Sequence, residues 1–361
     1  MHMRALVTGG AGFIGSHIAD TLLAQGNYVR IIDSLEPKVH GDAAPTLSGD
    51  IDFIQGDILS PATLRDALRE GVDVVFHEAA MVGLGKGGAD AEAYVVTNIN
   101  GTIRLIHAIA EQGNQTPPRV VLASTMAIYG EGAYMCKICG KQQSGTRSPA
   151  DLAKSKWDPT CPSCNQKLDP QPVTENQPTR PETIYAISKL GQELLCMSLG
   201  REANIPVTAL RYHNVYGPRM PRDTPYAGVA SLFKSRLLGG LPPLVYEDGE
   251  QLRDFIHVSD IVKANLLVAE ARRDDVAFKA FNVGTGRPHT IADFAKELAK
   301  NLAPAIQPRF PGSYRLGDAR HIFANITKIE KLGFKPSVSF EVGVSQFAKE
   351  PTRAPPKVAL S

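Results

Sequence analysis

Tyr185-Ala186-Ile187-Ser188-Lys189 places a phenol and an ammonium four residues apart, on one face of any helix that contains them. A Tyr phenol, with a reference pKa of about 10, is a poor base near neutrality, and a neighbouring ammonium stabilises its phenolate. The pair could therefore carry a proton to and from a substrate hydroxyl. The same spacing arises on many helices as two surface residues, so this chemistry depends on a redox cofactor nearby. A second group is four cysteines in two pairs, Cys136-Lys137-Ile138-Cys139 and Cys161-Pro162-Ser163-Cys164. Each pair offers two thiolates to one edge of a tetrahedron, the spacing of a four-cysteine zinc ribbon, in which four ligands close the coordination sphere and the metal is structural. Redox-active pairs and unliganded thiols are the alternatives. Cys196 stands apart and reads as a buried small apolar side chain.

A cofactor site is legible in Leu6-Val7-Thr8-Gly9-Gly10-Ala11-Gly12-Phe13-Ile14-Gly15, which joins a β-like run to an amphipathic segment ending near Ala24. Glycines at 9, 12 and 15 let the chain turn tightly and approach a pyrophosphate, whose charge then sits at a helix N-terminus. Gly26-Asn27 stops that helix, a strand follows over 28–32, and Asp33 stands at its C-terminal end. A carboxylate there would hydrogen-bond the adenosine ribose and repel a 2′-phosphate, which favours NAD over NADP; a simple loop residue is the alternative. Strand-like 51–54 leads to Gly56-Asp57-Ile58, and Ser60-Pro61 reads as the N-cap and first residue of a helix. Short apolar strands recur at 72–77, 120–124 and 207–211, alternating with helical patterns at 98–112 and 185–203. The alternation predicts an α/β fold, a doubly wound parallel Rossmann sheet whose ligands bind at the strands' C-terminal ends.

The chain has 361 residues and a net charge of +2, enough for one large core or two unequal bodies, with no general basicity that would point to nucleic acid. Lys137, Lys141, Arg147, Lys154, Lys156 and Lys167 make the cysteine segment basic, but lysines are common on any solvated loop. No apolar stretch approaches the roughly 20 residues of a membrane helix. The strand at Ala5-Leu6-Val7 follows too closely on Met1 for a signal peptide. The expectation is a soluble cytoplasmic protein, without membrane or nucleic-acid partners, whose cysteines are thiols or metal ligands.

With Asp57-Ile58, Ser124-Thr125 with Tyr129-Gly130, Tyr185 and Lys189, Arg211-Tyr212-His213-Asn214-Val215-Tyr216-Gly217-Pro218-Arg219, and Arg253-Asp254-Phe255-Ile256-His257-Val258 following the glycine turn in order, the chain resembles the extended short-chain dehydrogenase/reductase family. Within it the likeness is to the NAD-dependent nucleotide-sugar epimerases and dehydratases, and it covers nearly the whole chain. The resemblance implies cofactor contacts from Gly9, Gly12, Phe13, Ile14, Gly15, Asp33, Asp57, Ile58, Ala79 and Ala80, with Asn98, Ser124, Tyr185 and Lys189. It makes Tyr185 the general base for a sugar hydroxyl, Lys189 the residue that contacts the nicotinamide ribose and depresses the Tyr pKa, and Thr125 a hydrogen-bond partner of the same sugar oxygen. Asn214, Arg253, Arg315 and Asp318 match the substrate-binding positions, the arginines suiting a diphosphate because their fork pairs two oxygens at once. Dehydratases and decarboxylases of this kind place an acid after the Ser/Thr; here Met126-Ala127 follow, and neither moves a proton. That favours the simplest cycle, a 4-epimerase that oxidises and re-reduces C4 on retained NAD.

Two departures argue against the UDP-glucose/UDP-galactose pair: His213 stands where Phe is common, and Val82 where some galactose epimerases carry Lys. Thr125 and Tyr185 are 60 positions apart, about twice the usual spacing, so the cysteine module, 135–167, is an insertion expected as a lid or wall of the substrate site. It is similar to the insertion of a subgroup that interconverts dTDP-L-rhamnose and dTDP-6-deoxy-L-talose, which favours a dTDP-sugar. The segments 225–230 and 242–251 extend that match. The expected organisation is an NAD-binding body over 1–134, 168–214 and 253–270, with a smaller substrate-binding body over 215–252 and 271–361. Residues 281–286 read as a further strand and turn, Thr290 and Asp293 as the start of a helix, and the proline-containing tail 350–361 as poorly ordered or surface chain. The family implies a homodimer through the helices at 98–112 and 185–203. The competing readings are a UDP-sugar 4-epimerase, a dehydrogenase or reductase that exchanges NAD with solution, and a non-catalytic NAD-binding regulator whose ribbon contacts nucleic acid or protein.

Overall fold

A computed structural model of the chain describes residues 2–40, 47–82, 87–113, 116–143, 145–222 and 228–353. Seven parallel strands form its central sheet in the order Lys279–Val283, Val207–Tyr212, Arg119–Thr125, Val74–His77, Arg4–Thr8, Tyr28–Asp33 and Asp52–Gln55. Because strand side chains alternate, Ala5 and Val7 pack into one apolar cluster with Ile18, Leu22 and Ile261, while Leu6 packs into the opposite one with Leu64, Leu105 and Ile109. Both faces are thus covered by helices, and the strands read as continuous apolar runs rather than alternating ones. The chain builds outward from Arg4–Thr8 to Asp52–Gln55, then returns to the other side of the first strand at Val74–His77. This reversal opens a crevice at the strands' C-terminal ends, where the glycine turn, Asp33, Ala79-Ala80 and Ser124-Thr125 all lie.

Local signals hold at the helix starts. Ser60 accepts a hydrogen bond from the Thr63 amide ahead of Pro61, and Thr290 and Asp293 form a reciprocal capping box. One helical segment is divided differently from the expected 98–112. A π-helical turn, Val95–Asn100, precedes the helix Gly101–Glu111, and Gly101 packs so tightly that a Cβ would stand 2.5 Å from the Ile58 side chain. Cys196 is fully buried beside Met197.

The boundary drawn after residue 270 needs correction. Lys279–Val283 is the edge strand of the central sheet, with Phe281 opposite Leu210, and Phe281 and Val283 fill the first cluster. The rest of the C-terminal region packs the helices Val229–Leu238, Ile291–Leu302 and Phe340–Lys349 around Phe233, Phe255, Phe294 and Phe347. Short strands Leu252–Arg253, His289–Thr290 and His321–Ile322 form a small sheet from which Arg253 and Ile322 reach the cavity wall. The cysteine segment folds as an antiparallel sheet in the order Gly140–Gln143, Ala133–Cys136, Asp169–Gln171. Residues 225–227 and the tail 354–361 lie outside the described residues, and among the described ones no helix is long and apolar enough to cross a membrane.

Candidate active site

One cavity of about 1180 Å³ runs along the C-terminal ends of the strands, from the glycine turn to Tyr185 and on to Arg253 and Arg315. At its first end Gly9 adopts φ +67°, and a Cβ there would stand 2.8 Å from the Ala79 amide nitrogen. At Gly15 a Cβ would meet the Gly9 carbonyl oxygen at 2.3 Å. Only glycine fits either position. The helix Phe13–Ala24 starts at Gly12 with no side-chain cap, so its first amides face the cavity as an anion site. Asp33 is buried and accepts hydrogen bonds from the Ala11 and Leu35 amides at 3.0 and 2.9 Å, with His40 Nε2 at 3.3 Å. Phe13, Ile14, Asp57, Ile58, Ala79 and Ala80 share this part of the wall. The glycine cradle, open helix end and carboxylate fit the pyrophosphate and ribose of NAD.

Further along, Thr125, at the end of its strand, shares the cavity wall with Tyr185, which sits in the first turn of Ile184–Glu202 behind the Thr183 N-cap. Tyr94 meets the Tyr185 ring edge-on at 6.2 Å and fixes its plane. Burial raises the Tyr185 pKa and the Thr125 hydroxyl lowers it, with a net rise above 10.0. Lys189 is buried, and its Nζ donates to Ala123 O at 2.6 Å and to Gln192 Oε1 at 2.5 Å. Depression of the Tyr185 pKa by Lys189, expected from sequence, is therefore not in force here, because the ammonium is turned to these oxygens. Burial lowers the Lys189 pKa to about 8, opposed by the Glu78 and Glu193 carboxylates.

A buried relay stands behind Lys189. Thr8 Oγ1 meets His77 Nδ1 at 2.7 Å, His77 Nε2 meets Thr102 Oγ1 at 2.8 Å, and Gln192 Nε2 donates to Thr102 Oγ1 at 2.8 Å. Since the Thr102 hydroxyl donates to Asn98 O, His77 carries its proton on Nε2. Burial, then the nearby Lys189, push the His77 pKa down to about 3, so the ring stays neutral and orients the lysine's support.

Asn98 departs from its expected role as a cofactor contact. It lies off the cavity wall, fully buried in the π-helical turn; its amide pairs with the Met81 backbone through 2.7 and 3.0 Å bonds and reaches Ser188 Oγ at 2.9 Å. It ties the Ala79-Ala80 loop to the Tyr185 helix, a positioning task met where π turns recur. Ser124 faces the cavity but gives its hydroxyl to Glu193, which also pairs with Arg211 at 2.6 Å. Arg211 in turn holds the Tyr129 hydroxyl at 2.8 Å, so these motif residues brace the floor of the site.

Sequence reasoning missed Glu78. It precedes Ala79-Ala80, lines the cavity and accepts a 2.8 Å hydrogen bond from Tyr212. Burial raises its pKa to about 7, against the opposing pull of the Tyr212 hydrogen bond and Lys189. A carboxylate at the end of an otherwise apolar strand was the available signal. Glu182 was also passed over; it lines the cavity and is held by Thr146 of the insertion at 2.7 Å.

The far wall is built for a polar ligand. His213 Nδ1 and Nε2, Asn214 Oδ1 and Gln251 Oε1 are buried without a partner among the described residues, and all three side chains line the cavity. Burial holds the His213 pKa down at about 4, so it faces the cavity as a neutral ring. Arg253 and Arg315 line this end, and among the described residues neither has a carboxylate within ion-pair distance. Arg253 donates to the carbonyls of Ala319 and Arg320 at 2.5 and 3.1 Å, while the Arg315 guanidinium lies 5.0 Å over the Tyr246 ring. Two cavity-facing guanidiniums without counter-ions suit a diphosphate. Asp318 shares the wall and supports the charge on Arg253; Asp254, beside Arg253, is instead consumed by the amides of Thr285 and Gly286.

The four sulfurs of Cys136, Cys139, Cys161 and Cys164 lie within 4.8 Å of one another. The edge of a tetrahedral zinc-tetrathiolate is about 3.8 Å, and Cys136 Sγ to Cys164 Sγ is 3.5 Å. Each knuckle turns through a left-handed residue placed just after its second cysteine, Gly140 at φ +78° and Asn165 at φ +58°. The donor set and spacing fit zinc. The insertion is not the lid expected: none of its described residues between 133 and 171 lines the cavity, and it packs behind the wall that carries Arg315 and Asp318. Its hydrogen bonds to Glu182 and the Asp318 carbonyl hold it there.

The sheet, the glycine cradle and the Thr125, Tyr185, Lys189 group define a Rossmann-fold protein of the dinucleotide-dependent, Tyr–Lys type. The chain belongs to the NAD dependent epimerase/dehydratase family, whose profile matches residues 5–284. It is similar to a dTDP-L-rhamnose 4-epimerase of Burkholderia thailandensis, 32% identical over 349 residues, covering 95% of this chain and 93% of that one. It is 31% identical to a UDP-N-acetyl-alpha-D-glucosaminuronate decarboxylase of Bacillus cytotoxicus over 355 residues, 96% of this chain and 97% of the other. The solved UDP-glucuronic acid 4-epimerase of Bacillus cereus, in complex with UDP-glucuronic acid and NAD, aligns over 96% of this chain and 98% of its own with TM-score 0.76 at 27% identity.

Proposed function

We propose that this chain is an NAD-dependent nucleotide-diphosphate-sugar 4-epimerase, with a dTDP-6-deoxysugar of the L-rhamnose/6-deoxy-L-talose pair as its favoured substrate. The observation that carries the reading is Thr125 and Tyr185 together in one cavity between an NAD-shaped cradle and two arginines without counter-ions, with Met126 and Ala127 where an acid would serve dehydration or decarboxylation. The 4-epimerase relative supports it. The Met81, Val82 and Met126 side chains offer apolar surface to a C6 methyl group.

In the proposed cycle Tyr185 enters as the phenolate, supported by the Lys189 ammonium once it turns from Ala123 O and Gln192 Oε1 toward the cofactor ribose; Tyr185 Oη takes the proton from the sugar O4 and becomes the phenol, while Thr125 orients that oxygen. NAD, when bound, supplies reversible hydride acceptance at C4. Arg253, Arg315 and Asn214 retain the diphosphate while the sugar ring turns over to present its other face. Tyr185 then returns the proton, so hydride and proton balance and no net oxidation occurs. The zinc proposed at Cys136, Cys139, Cys161 and Cys164 is structural. A homodimer through Gly101–Glu111 and Ile184–Glu202 is supported by the exposed Ile187 and Leu194 of the second helix and by Val95 in the π-helical turn before the first; a mass of one chain by light scattering would contradict it.

The reading is tested with a panel of dTDP-, UDP- and GDP-sugars followed by NMR and by absorbance of reduced nicotinamide. The expected result is conversion of dTDP-L-rhamnose to its C4 epimer without bulk NADH; stoichiometric NADH release would instead mark a dehydrogenase.

Glu78 yields a pH prediction. Its charge supports the ammonium form of Lys189, so Glu78→Gln removes an ionisation near pH 7 and lets Lys189 lose its proton at lower pH. The basic limb of the kcat–pH profile should move down in pH, with NAD still bound. A Lys189 with depressed pKa also costs stability below about pH 8, which is regained as the pH rises through 8 toward the unfolded value. An unchanged profile in Glu78→Gln would remove Glu78 from the site's electrostatics.

A further inference from the structure

Glu247 is an unusual residue for its place. Its backbone adopts φ +54°, a region that a non-glycine residue enters only at a cost, yet its side chain is buried on the cavity wall. Such strain persists only where the surroundings over-determine it. Two guanidiniums do so here: Arg147 Nη1 at 2.8 Å and Arg320 Nη1 at 2.9 Å. Arg147 belongs to the cysteine insertion; its Nη2 donates to the Asp318 carbonyl at 2.7 Å, and its Nε lies 3.7 Å from Glu131. Arg320 also takes Asp248 through bonds of 2.6 and 2.8 Å, and Asp158 of the insertion at 2.8 Å.

The insertion therefore grips both ends of one charged chain, Asp158–Arg320–Glu247–Arg147. That chain fixes the backbone presenting Tyr246 and Asp318 to the cavity, and the Arg320 carbonyl that receives Arg253. Four carboxylates, Glu131, Glu247, Asp158 and Asp248, surround the two arginines. Burial disfavours the charged form of Arg253, as does Arg147, while Asp318 and Glu131 favour it. None of these insertion side chains reaches the cavity itself.

We propose that Arg147 is a positioning residue which, through Glu247 and the Asp318 carbonyl, holds the wall that receives the nucleoside diphosphate. The cysteine insertion then sets affinity for the substrate's diphosphate end and leaves the proton and hydride cycle at Tyr185 untouched. This rests on the nucleotide-sugar reading for its ligand class, but its central test needs no turnover.

The probes are dTDP and UDP, titrated calorimetrically into the NAD-loaded protein. Arg147→Met keeps the stem and removes the fork. It should weaken binding of the better-bound nucleotide by about tenfold or more, with zinc content unchanged. In turnover KM should rise while kcat stays within about twofold, a split that a merely stabilising ion pair would not produce. Arg147→Lys should restore part of the affinity. Stripping the metal from the wild-type protein should weaken nucleotide binding by a similar factor and add little in Arg147→Met, because both act through the same wall. Wild-type affinity in Arg147→Met, a fall in kcat at constant KM, or fully additive effects of metal removal and Arg147→Met would each overturn the proposal. If Arg147→Met does not fold, Asp158→Asn at the half-exposed end of the chain serves, with the same expected loss. Failure of either nucleotide to bind the wild-type protein would sink the nucleotide-sugar reading itself, a result distinct from equal binding by wild type and variant.

Discussion

Tyr185→Phe should lower kcat for epimerisation by about 10²–10⁴-fold, the usual range for removal of a general acid–base group, and leave the fold and the bound NAD in place. The phenyl ring keeps the edge contact with Tyr94, and the Thr183 N-cap of its helix is untouched. The only atom lost is the hydroxyl beside Thr125. Met126 and Ala127 offer no substitute proton carrier. Glu78, a carboxyl on the same cavity wall, already accepts from Tyr212. NMR turnover assays beside a thermal melt check the split: a matched melting temperature with lost turnover is expected, and wild-type turnover would show that the proton moves through another group.

Removing the proposed metal should have the larger structural effect, centred on the insertion and the cavity wall it braces. Its buried apolar core consists of Tyr134, Cys136, Cys161 and Leu168, with Cys164 packed against them. So small a core cannot offset the ordering entropy of the strands between 133 and 171, whereas structural zinc contributes on the order of 10 kcal/mol in small metal-bound modules. Cys161→Ser should therefore abolish stoichiometric zinc and release amide protection across the insertion. The central sheet, with its own two apolar clusters, stays protected. Elemental analysis and hydrogen exchange measure both. Freshly prepared wild-type protein without zinc, or unchanged protection in Cys161→Ser, would contradict the metal assignment.

What the sequence discloses is what short segments decide. The glycine turn, Asp33 and the Tyr185, Lys189 spacing each depend on fewer than a dozen neighbouring residues, and the structure places them all on one cavity wall. The knuckles are equally local, down to the left-handed residues at Gly140 and Asn165. The electrostatics are another matter, because they are set by partners far apart in the chain. Lys189 turns to a carbonyl 66 residues away rather than to Tyr185 four residues away. Asn98 braces Met81 because a π turn rotates it off the wall. Arg253 is satisfied by carbonyls 66 and 67 residues on. The insertion's place behind the wall follows from Arg320 pairing with Asp158, 162 positions apart. The misassigned strand Lys279–Val283 has the same origin, since nothing in its five residues specifies which sheet its edge will join.

The central claim is that C4 is oxidised and re-reduced within one cavity on one retained cofactor. It is tested most directly with dTDP-L-rhamnose deuterated at C4. The account predicts an epimer of inverted C4 configuration that keeps its deuterium, formed by the wild-type protein and not by Tyr185→Phe. Deuterium lost to solvent, or carried away on free reduced nicotinamide, would contradict it.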